Sequence, residues 1–326
     1  MRDRFGRTID YLRISITDRC NLRCFYCMPP SGVDAKPREE ILRLEEVLDV
    51  AKIALQLGFS KIRLTGGEPL LRKGLIPFIK NLNLLPGLKD LALTTNGLLL
   101  PQLAGELHVA GVHRLNISLD TLDPDMYRRL TGGGDFNQVW TGLTRAIGLG
   151  FDPIKINAVA LKGVNDDQWV ALARLSGQYP IHVRFIELMP VGSSWETAGD
   201  GYASCREVQS RIEGTLGKLI PTQRVAGNGP AQYFRLPGAA GTIGFIHAIS
   251  EHFCGSCNRL RLTADGKLRP CLLSQQEVDL RQAIRSGAGD QEIQNLFRKA
   301  ILIKSSSYHR AEGSSAGSRV MAQIGG

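Results

Sequence analysis

Residues 20–27, Cys20-Asn21-Leu22-Arg23-Cys24-Phe25-Tyr26-Cys27, carry the densest chemistry in the chain. Three thiols at spacing C-x3-C-x2-C follow an apolar run at 12–17 that alternates as a strand does. Three thiolates on one short loop can hold three corners of a four-iron cluster, and no fourth cysteine follows nearby. Clusters that only carry electrons normally have four cysteine ligands, so three leave one iron open to a small molecule. Other chemistries share parts of this pattern. Cys24-Phe25-Tyr26-Cys27 alone fits a thioredoxin-like redox pair. A structural zinc site would need a fourth protein ligand, and the nearest histidine is far along the chain. A second thiol set, Cys254-Gly255-Ser256-Cys257 with Cys271, reads by itself as a zinc site completed by His247 or His252. Cys205 has no partner in either set and reads as a small apolar filler.

The elements that must position these thiols follow a strand–turn–helix rhythm. Strands are predicted at 12–17, 61–65, 91–94, 114–118, 155–159 and 182–187. Helices are predicted at 44–57, 75–84, 102–109, 124–130 and 136–149, with another near Trp169 capped by Asp166 or Asp167. Six βα units imply a parallel sheet. Polar signatures sit just after the strands: Thr65-Gly66-Gly67-Glu68-Pro69, Thr94-Thr95-Asn96-Gly97, Ser118-Leu119-Asp120, Glu187-Leu188-Met189. A barrel builds its site from strand ends in this way, whereas an open sheet concentrates it at one switch point. The expected fold is α/β, a partial (βα)6 TIM-type barrel over 1–190 with an α+β extension over 191–326. In the extension the helix at 205–216 precedes a Gly-containing loop at 223–230. Short strands at 232–236, 242–246, 259–262 and 268–269 read as antiparallel, with Asp265-Gly266 as a hairpin turn. Helices near 278–286 and 291–303 lead to a Ser/Gly/Ala-rich segment at 305–318 that reads as a flexible approach to the tail.

A chain of 326 residues with 43% hydrophobic and 22% charged residues is ordinary for a globular protein, and no apolar run reaches membrane-spanning length. No signal core follows Met1, so a cytoplasmic location is expected. In that reducing setting clustered thiols point to metal centres and not to disulfides. The net charge of +9 is scattered, with no basic run of the kind that marks a nucleic-acid footprint; a polyphosphate ligand suits it better.

With an aromatic residue before its last cysteine, the first motif resembles the radical S-adenosylmethionine (SAM) enzymes. With the second thiol set added, the whole chain resembles the GTP 3′,8-cyclase family of molybdenum cofactor biosynthesis. The likeness runs through Asp18-Arg19-Cys20-Asn21, Tyr26-Cys27-Met28-Pro29 and Arg63-Leu64-Thr65-Gly66-Gly67-Glu68-Pro69-Leu70. It continues in Thr94-Thr95-Asn96-Gly97, Asn116-Ile117-Ser118-Leu119-Asp120, Arg184-Phe185-Ile186-Glu187-Leu188-Met189, Cys257-Asn258-Arg259-Leu260-Arg261-Leu262 and Ile324-Gly325-Gly326.

The resemblance implies two [4Fe-4S] clusters, one on Cys20, Cys24 and Cys27 and one on Cys254, Cys257 and Cys271. It implies SAM on the first, touched by Tyr26, Gly67, Ser118 and Met189 and split to a 5′-deoxyadenosyl radical. GTP would meet the second cluster through its guanine and be held by Arg13, Arg63, Thr94, Lys155, Arg259 and Arg261. Hydrogen would leave the ribose C3′ and that carbon would join C8, giving 3′,8-cyclo-7,8-dihydro-GTP. Arg13, Gly325 and Gly326 belong with the first three cysteines among the catalytic positions, the Gly-Gly end reaching into the site. The implied partners are GTP, an electron donor and the downstream pterin-forming synthase. Neither nucleic acid nor membrane is implied, and the chain would act as a monomer or homodimer. A radical SAM peptide maturase with an auxiliary cluster is the alternative enzyme, and an electron carrier or zinc-stabilised nucleic-acid module the non-enzymatic one.

Overall fold

The computed structural model describes residues 1–29, 31–191, 201–223, 225, 227, 229–307 and 319–325. Most of the 305–318 segment, several residues of the 223–230 loop, and Gly326 lie outside the described residues.

Six strands, β1 (Tyr11–Ser15), β2 (Lys61–Thr65), β3 (Asp90–Thr95), β4 (Arg114–Ser118), β5 (Ile154–Ala160) and β6 (His182–Glu187), pair parallel in chain order. Helices α1 (Leu44–Gln56), α2 (Leu75–Asn83), α3 (Leu100–Val109), α4 (Pro124–Thr131), α5 (Phe136–Gly148) and α6 (Trp169–Gln178) fill the crossovers. The expected partial barrel is what forms. Helix α6 starts at Trp169 after Gln168 and has no side-chain cap, so neither Asp166 nor Asp167 plays the expected part.

After α7 (Cys205–Leu216) come β7 (Ile220–Pro221), β8 (Gln232–Arg235), β9 (Thr242–Ile246), β10 (Arg259–Leu262), β11 (Lys267–Arg269) and β12 (Val278–Asp279). The chain closes with α8 (Leu280–Arg285), α9 (Asp290–Leu302) and the short α10 (Met321–Ile324). The antiparallel reading of this region needs correcting. β8 pairs antiparallel with β9, and β10 with β11, but β9 also adds parallel to β6 and β10 parallel to β1. The parallel core therefore runs β10-β1-β2-β3-β4-β5-β6-β9, and the sheet continues across residue 190. An antiparallel pair needs only a tight turn, which local sequence reports; a parallel partner contributed from far along the chain leaves no such mark.

Alternation along each strand separates two environments. Leu12, Ile14, Ile62, Leu64, Leu93, Ile117, Ile156, Val183 and Phe185 face the helices in one continuous apolar core. The opposite face carries Arg13, Arg63, Thr94, Ser118, Asn157 and Arg184. Register aligns Arg261, Arg13 and Arg63 on three adjacent strands, β10, β1 and β2. No helix among the described residues is long and apolar enough to cross a membrane.

Candidate functional site

The inner face of the arc opens on a cavity with about 1570 Å³ of space, its mouth included. Cys20, Cys24, Cys27, Tyr26, Gly67, Ser118 and Met189 line it, together with Arg13, Arg63, Thr94, Arg259 and Arg261. Lys155 is buried on the same face behind them, 2% exposed, without lining the cavity itself. Cys257 opens onto a smaller pocket that shares Gly229, Pro230, Phe253 and Arg259 with the large one.

The first cysteine loop is pinned from several sides. Gly67 and Glu68 donate backbone N–H groups to the carbonyls of Thr17 and Arg19, at 2.8 and 2.7 Å. A Cβ on Gly67 would lie 2.3 Å from the Arg19 oxygen, so only glycine lets turn and loop come this close. Glu68, fully buried, accepts from Leu70 N, Thr95 Oγ1 and Asn96 N. Burial outweighs those donors and pushes its carboxyl up to about 7. At the far end Tyr26 donates its hydroxyl to Asp120 Oδ2 at 2.6 Å, while Asp120 Oδ1 accepts from Val159 N. Arg23 N and Phe25 N reach the carbonyls of Thr131 and Leu130 at the end of α4.

The two thiol sets differ electrostatically. Burial raises the Cys20, Cys24 and Cys27 thiols, Cys27 to about 12, and the neighbouring thiols add to the shift in Cys24 and Cys27. Bound cations reverse this balance, because a coordinated thiol gives up its proton. Burial also opposes the Cys257 thiolate, but Arg259 and Lys304 outweigh it and bring the thiol down to about 6. Lys304 is itself buried, its ammonium 3.5 Å from Cys257 Sγ and bonded to the carbonyls of Arg259 and Pro270.

Both triads fit a multi-iron group better than one ion. A tetrahedral zinc brings thiolates within about 3.8 Å of each other. Among the described residues only Glu187, Cys205 and His247 have ligand atoms within 4.8 Å of one another, and neither cysteine triad does. The two histidines near the second set each make a contact through Nδ1. His252 Nδ1 meets the Ala248 carbonyl at 2.9 Å and His247 Nδ1 lies 3.3 Å from Ser250 Oγ. Sulfur-directed donors are in place around the first triad, Leu22 N at 3.4 Å and Asn96 Nδ2 at 3.9 Å from Cys20 Sγ.

The basic wall is arranged for an anion. Arg63, Arg184 and Arg261 are buried, and together with Arg259 they enter no ion pair among the described residues. Buried Arg63 Nε and Thr94 Oγ1 lack hydrogen-bond partners among the described residues. Such groups are costly to bury unless a ligand meets them. Burial, then Arg261 and Arg63, drives the Arg13 guanidinium well below its ordinary range. Burial and the charges of Arg184, Arg114 and Arg63 push Lys155 down to about 6.

Three basic residues that the fold brings to the site or beside it carried no role in the sequence. Arg184, held by Asn116 and Asn157, lay inside a recognised motif without a role. Lys304 and Arg319 sit in stretches with no pattern, and only the fold brings them in. Gly325 lies at the first strand's end, its carbonyl accepting from Arg261 Nη1 at 3.0 Å, while Gly326 falls outside the described residues. Cys205 behaves as expected of a buried filler at the start of α7, its thiol raised to about 12 by burial and then by Glu187.

Comparison with known proteins adds independent observations. The Radical SAM superfamily profile matches residues 14–176, and the Molybdenum Cofactor Synthesis C profile matches 181–310. The chain is 52% identical over 326 residues to a GTP 3′,8-cyclase of Pelotomaculum thermopropionicum, covering 100% of both. It is 49% identical over 306 residues to a GTP 3′,8-cyclase of Thermodesulfovibrio yellowstonii, covering 93% of this chain and 94% of that one. In fold it resembles Streptococcus suis SuiB bound to S-adenosylmethionine, with a TM-score of 0.60 at 17% identity, over 83% of this chain and 63% of that one.

Proposed function

The chain belongs to the GTP 3′,8-cyclase family of radical SAM enzymes, and from that premise we propose how its own residues divide the work. It is an enzyme that converts GTP to 3′,8-cyclo-7,8-dihydro-GTP, the first step of molybdenum cofactor biosynthesis, and it uses SAM and a [4Fe-4S] cluster. The peptide-maturase alternative is not favoured, because the relatives that match the whole chain at about half identity are GTP cyclases.

In this reading residues 1–190 serve radical generation and 191–326 complete the substrate site. Cys20, Cys24 and Cys27 would hold the [4Fe-4S] cluster, which would supply the electron for SAM cleavage. Cys254, Cys257 and Cys271 would hold a second [4Fe-4S] cluster with an iron free for the guanine. Gly67 lets backbone approach the SAM methionine part, while Tyr26, Ser118 and Met189 border its adenosine. Arg13, Arg63, Arg184, Arg259 and Arg261 take the triphosphate with Lys155 behind them, since the guanidinium fork pairs two phosphate oxygens at once. Thr94 offers its hydroxyl, and Gly325 closes the site at Arg261, with Gly326 sharing its catalytic assignment. Holding the ribose C3′ toward SAM and C8 toward C3′ turns two encounters into steps within one bound assembly. The same reading assigns an external electron donor, a pterin-forming synthase that consumes the product, a cytoplasmic setting, and action as a monomer or homodimer.

The observation that carries this reading is the set of buried arginines facing the same cavity as the first cysteine loop. The test is anaerobic reconstitution with iron and sulfide, then SAM, dithionite and GTP, followed by mass analysis. Hydrogen leaves C3′ on 5′-deoxyadenosine, and an electron and a proton return to the purine. The expected product is therefore an isomer of GTP, accompanied by 5′-deoxyadenosine and methionine. Cleavage of SAM without any isomer of GTP would refute the reading.

A further inference from the structure

The C-terminal peptide crosses the first cysteine loop; Arg261 holds its far end at the Gly325 carbonyl, and its near end is tied down by its own one charged side chain. Arg319 is the only charged side chain among residues 319–325. Its guanidinium reaches Asp265 Oδ1 and Oδ2 at 3.1 and 2.9 Å, and Glu277 Oε2 and Oε1 at 2.9 and 2.7 Å. Paired bonds of this kind fix direction as well as distance. Asp265 stands in the β10–β11 turn and Glu277 just before β12, so the anchor lies on the hairpin that continues from the second cysteine set.

Downstream, Val320 and Ala322 bury their side chains with Met28 against Cys20, Cys27 and Val33. Met321 N donates to the Cys27 carbonyl at 3.2 Å, and Ala322 N–H is directed at the Cys27 sulfur. Met321 and Ala322 then form part of the cavity wall. Ile324 packs against Val191 and Leu272, and the Gly325 carbonyl accepts from Arg261, so the far end of the peptide has its own hold. The ion pairs at Arg319 fix its entry, where the other contacts are small apolar and backbone ones.

We propose that Arg319 is a positioning residue for the cyclisation: its grip on Asp265 and Glu277 seats residues 320–325 on the Cys27 end of the first cysteine loop, with an amide aimed at that sulfur. The proposal rests on the functional reading above and adds to it the device that holds the tail. Loss of the guanidinium leaves the hairpin with other partners, because Asp265 keeps Thr263 and Lys36 while Glu277 keeps Arg269. The released peptide would expose Cys27 and open the cavity wall to water, so SAM would still be cleaved without delivering hydrogen transfer to the ribose.

Arg319→Gln and Arg319→Lys, reconstituted anaerobically beside the unaltered protein, provide the test. Hydrogen exchange followed by mass spectrometry reads the amides of residues 320–325, and product analysis reads cyclised GTP per 5′-deoxyadenosine. Arg319→Gln is expected to keep its iron content, to speed exchange in the tail about ten-fold or more, and to lower the coupling ratio by about ten-fold or more. Arg319→Lys should recover part of both, as a point charge can replace some of the fork. Unchanged exchange in Arg319→Gln would overturn the mooring. Faster exchange with an unchanged coupling ratio would overturn the positioning role. If the unaltered protein made no cyclised product, the functional reading would fail, and the exchange measurement would still decide the mooring.

Discussion

Gly67 and Lys155 show what single residues contribute and what the sequence said about them. The Gly-Gly-Glu-Pro turn was legible as a motif, but the reason for its second glycine is the Arg19 carbonyl 2.3 Å from where a Cβ would sit. Gly67→Ala must move the cysteine loop, at a cost of about 1–3 kcal/mol. The expected result is a lower denaturation midpoint and weaker iron retention at the first triad. Lys155 was legible only through family likeness, since nothing in its neighbourhood of sequence announces burial among arginines. Folded, it holds its proton only up to about 6, against 10.5 ordinarily. Between those values the unfolded chain binds more protons. This lysine's contribution to stability therefore grows as pH rises through the window and is lost as pH falls through about 6. Triphosphate beside it should draw the proton back. Calorimetry of GTP binding at about pH 7.5, in buffers of different ionisation enthalpy, should show uptake of about one proton, which Lys155→Met abolishes.

At the scale of elements, the six βα units were readable because two signals agreed. Alternating Leu-Arg-Ile-Ser or Lys-Ile-Arg-Leu-Thr marks a strand with one face on the core and one on the cavity, and the helices show the longer period. Parallel addition of β9 and β10 was not readable, because their partners lie far away in sequence. Nor was the work of Glu187 at the end of β6. Burial alone would raise this carboxyl. Bonds from the Ser250 hydroxyl and the N–H groups of Cys205, Ile249 and Ser250 hold it below the usual range instead. One side chain thus fastens the start of α7 and the turn after β9 to the barrel. Glu187→Ala would strand those donors, with a stability loss of about 3 kcal/mol or more by denaturant titration, and Glu187→Gln a smaller one.

For the molecule as a whole, the two thiol sets should be separable by chemistry. Cys24→Ala is expected to abolish SAM cleavage. Cys257→Ala should lower iron from about eight to about four atoms per chain, continue some uncoupled SAM cleavage and form no cyclised product. Full cyclisation by Cys257→Ala would eliminate the second centre. Folding should be less divisible. A chain ending at residue 190 would bare the edges of β1 and β6 that β10 and β9 normally cover, and it is expected to aggregate when expressed alone.

The in-register pairing of β1 with β10 has one more outcome. Cys257 comes just before β10 and Cys20 shortly after β1, so the thiol sets stand at opposite ends of neighbouring strands that run the same way. The five residues of β1, at about 3.3 Å each, measure out roughly 16 Å between them. Hydrogen-bonded backbone is thus the ruler that gauges how long a molecule can lie between the two sets. Side-chain substitutions can reshape the ends of that span, but only lengthening both strands together would stretch it.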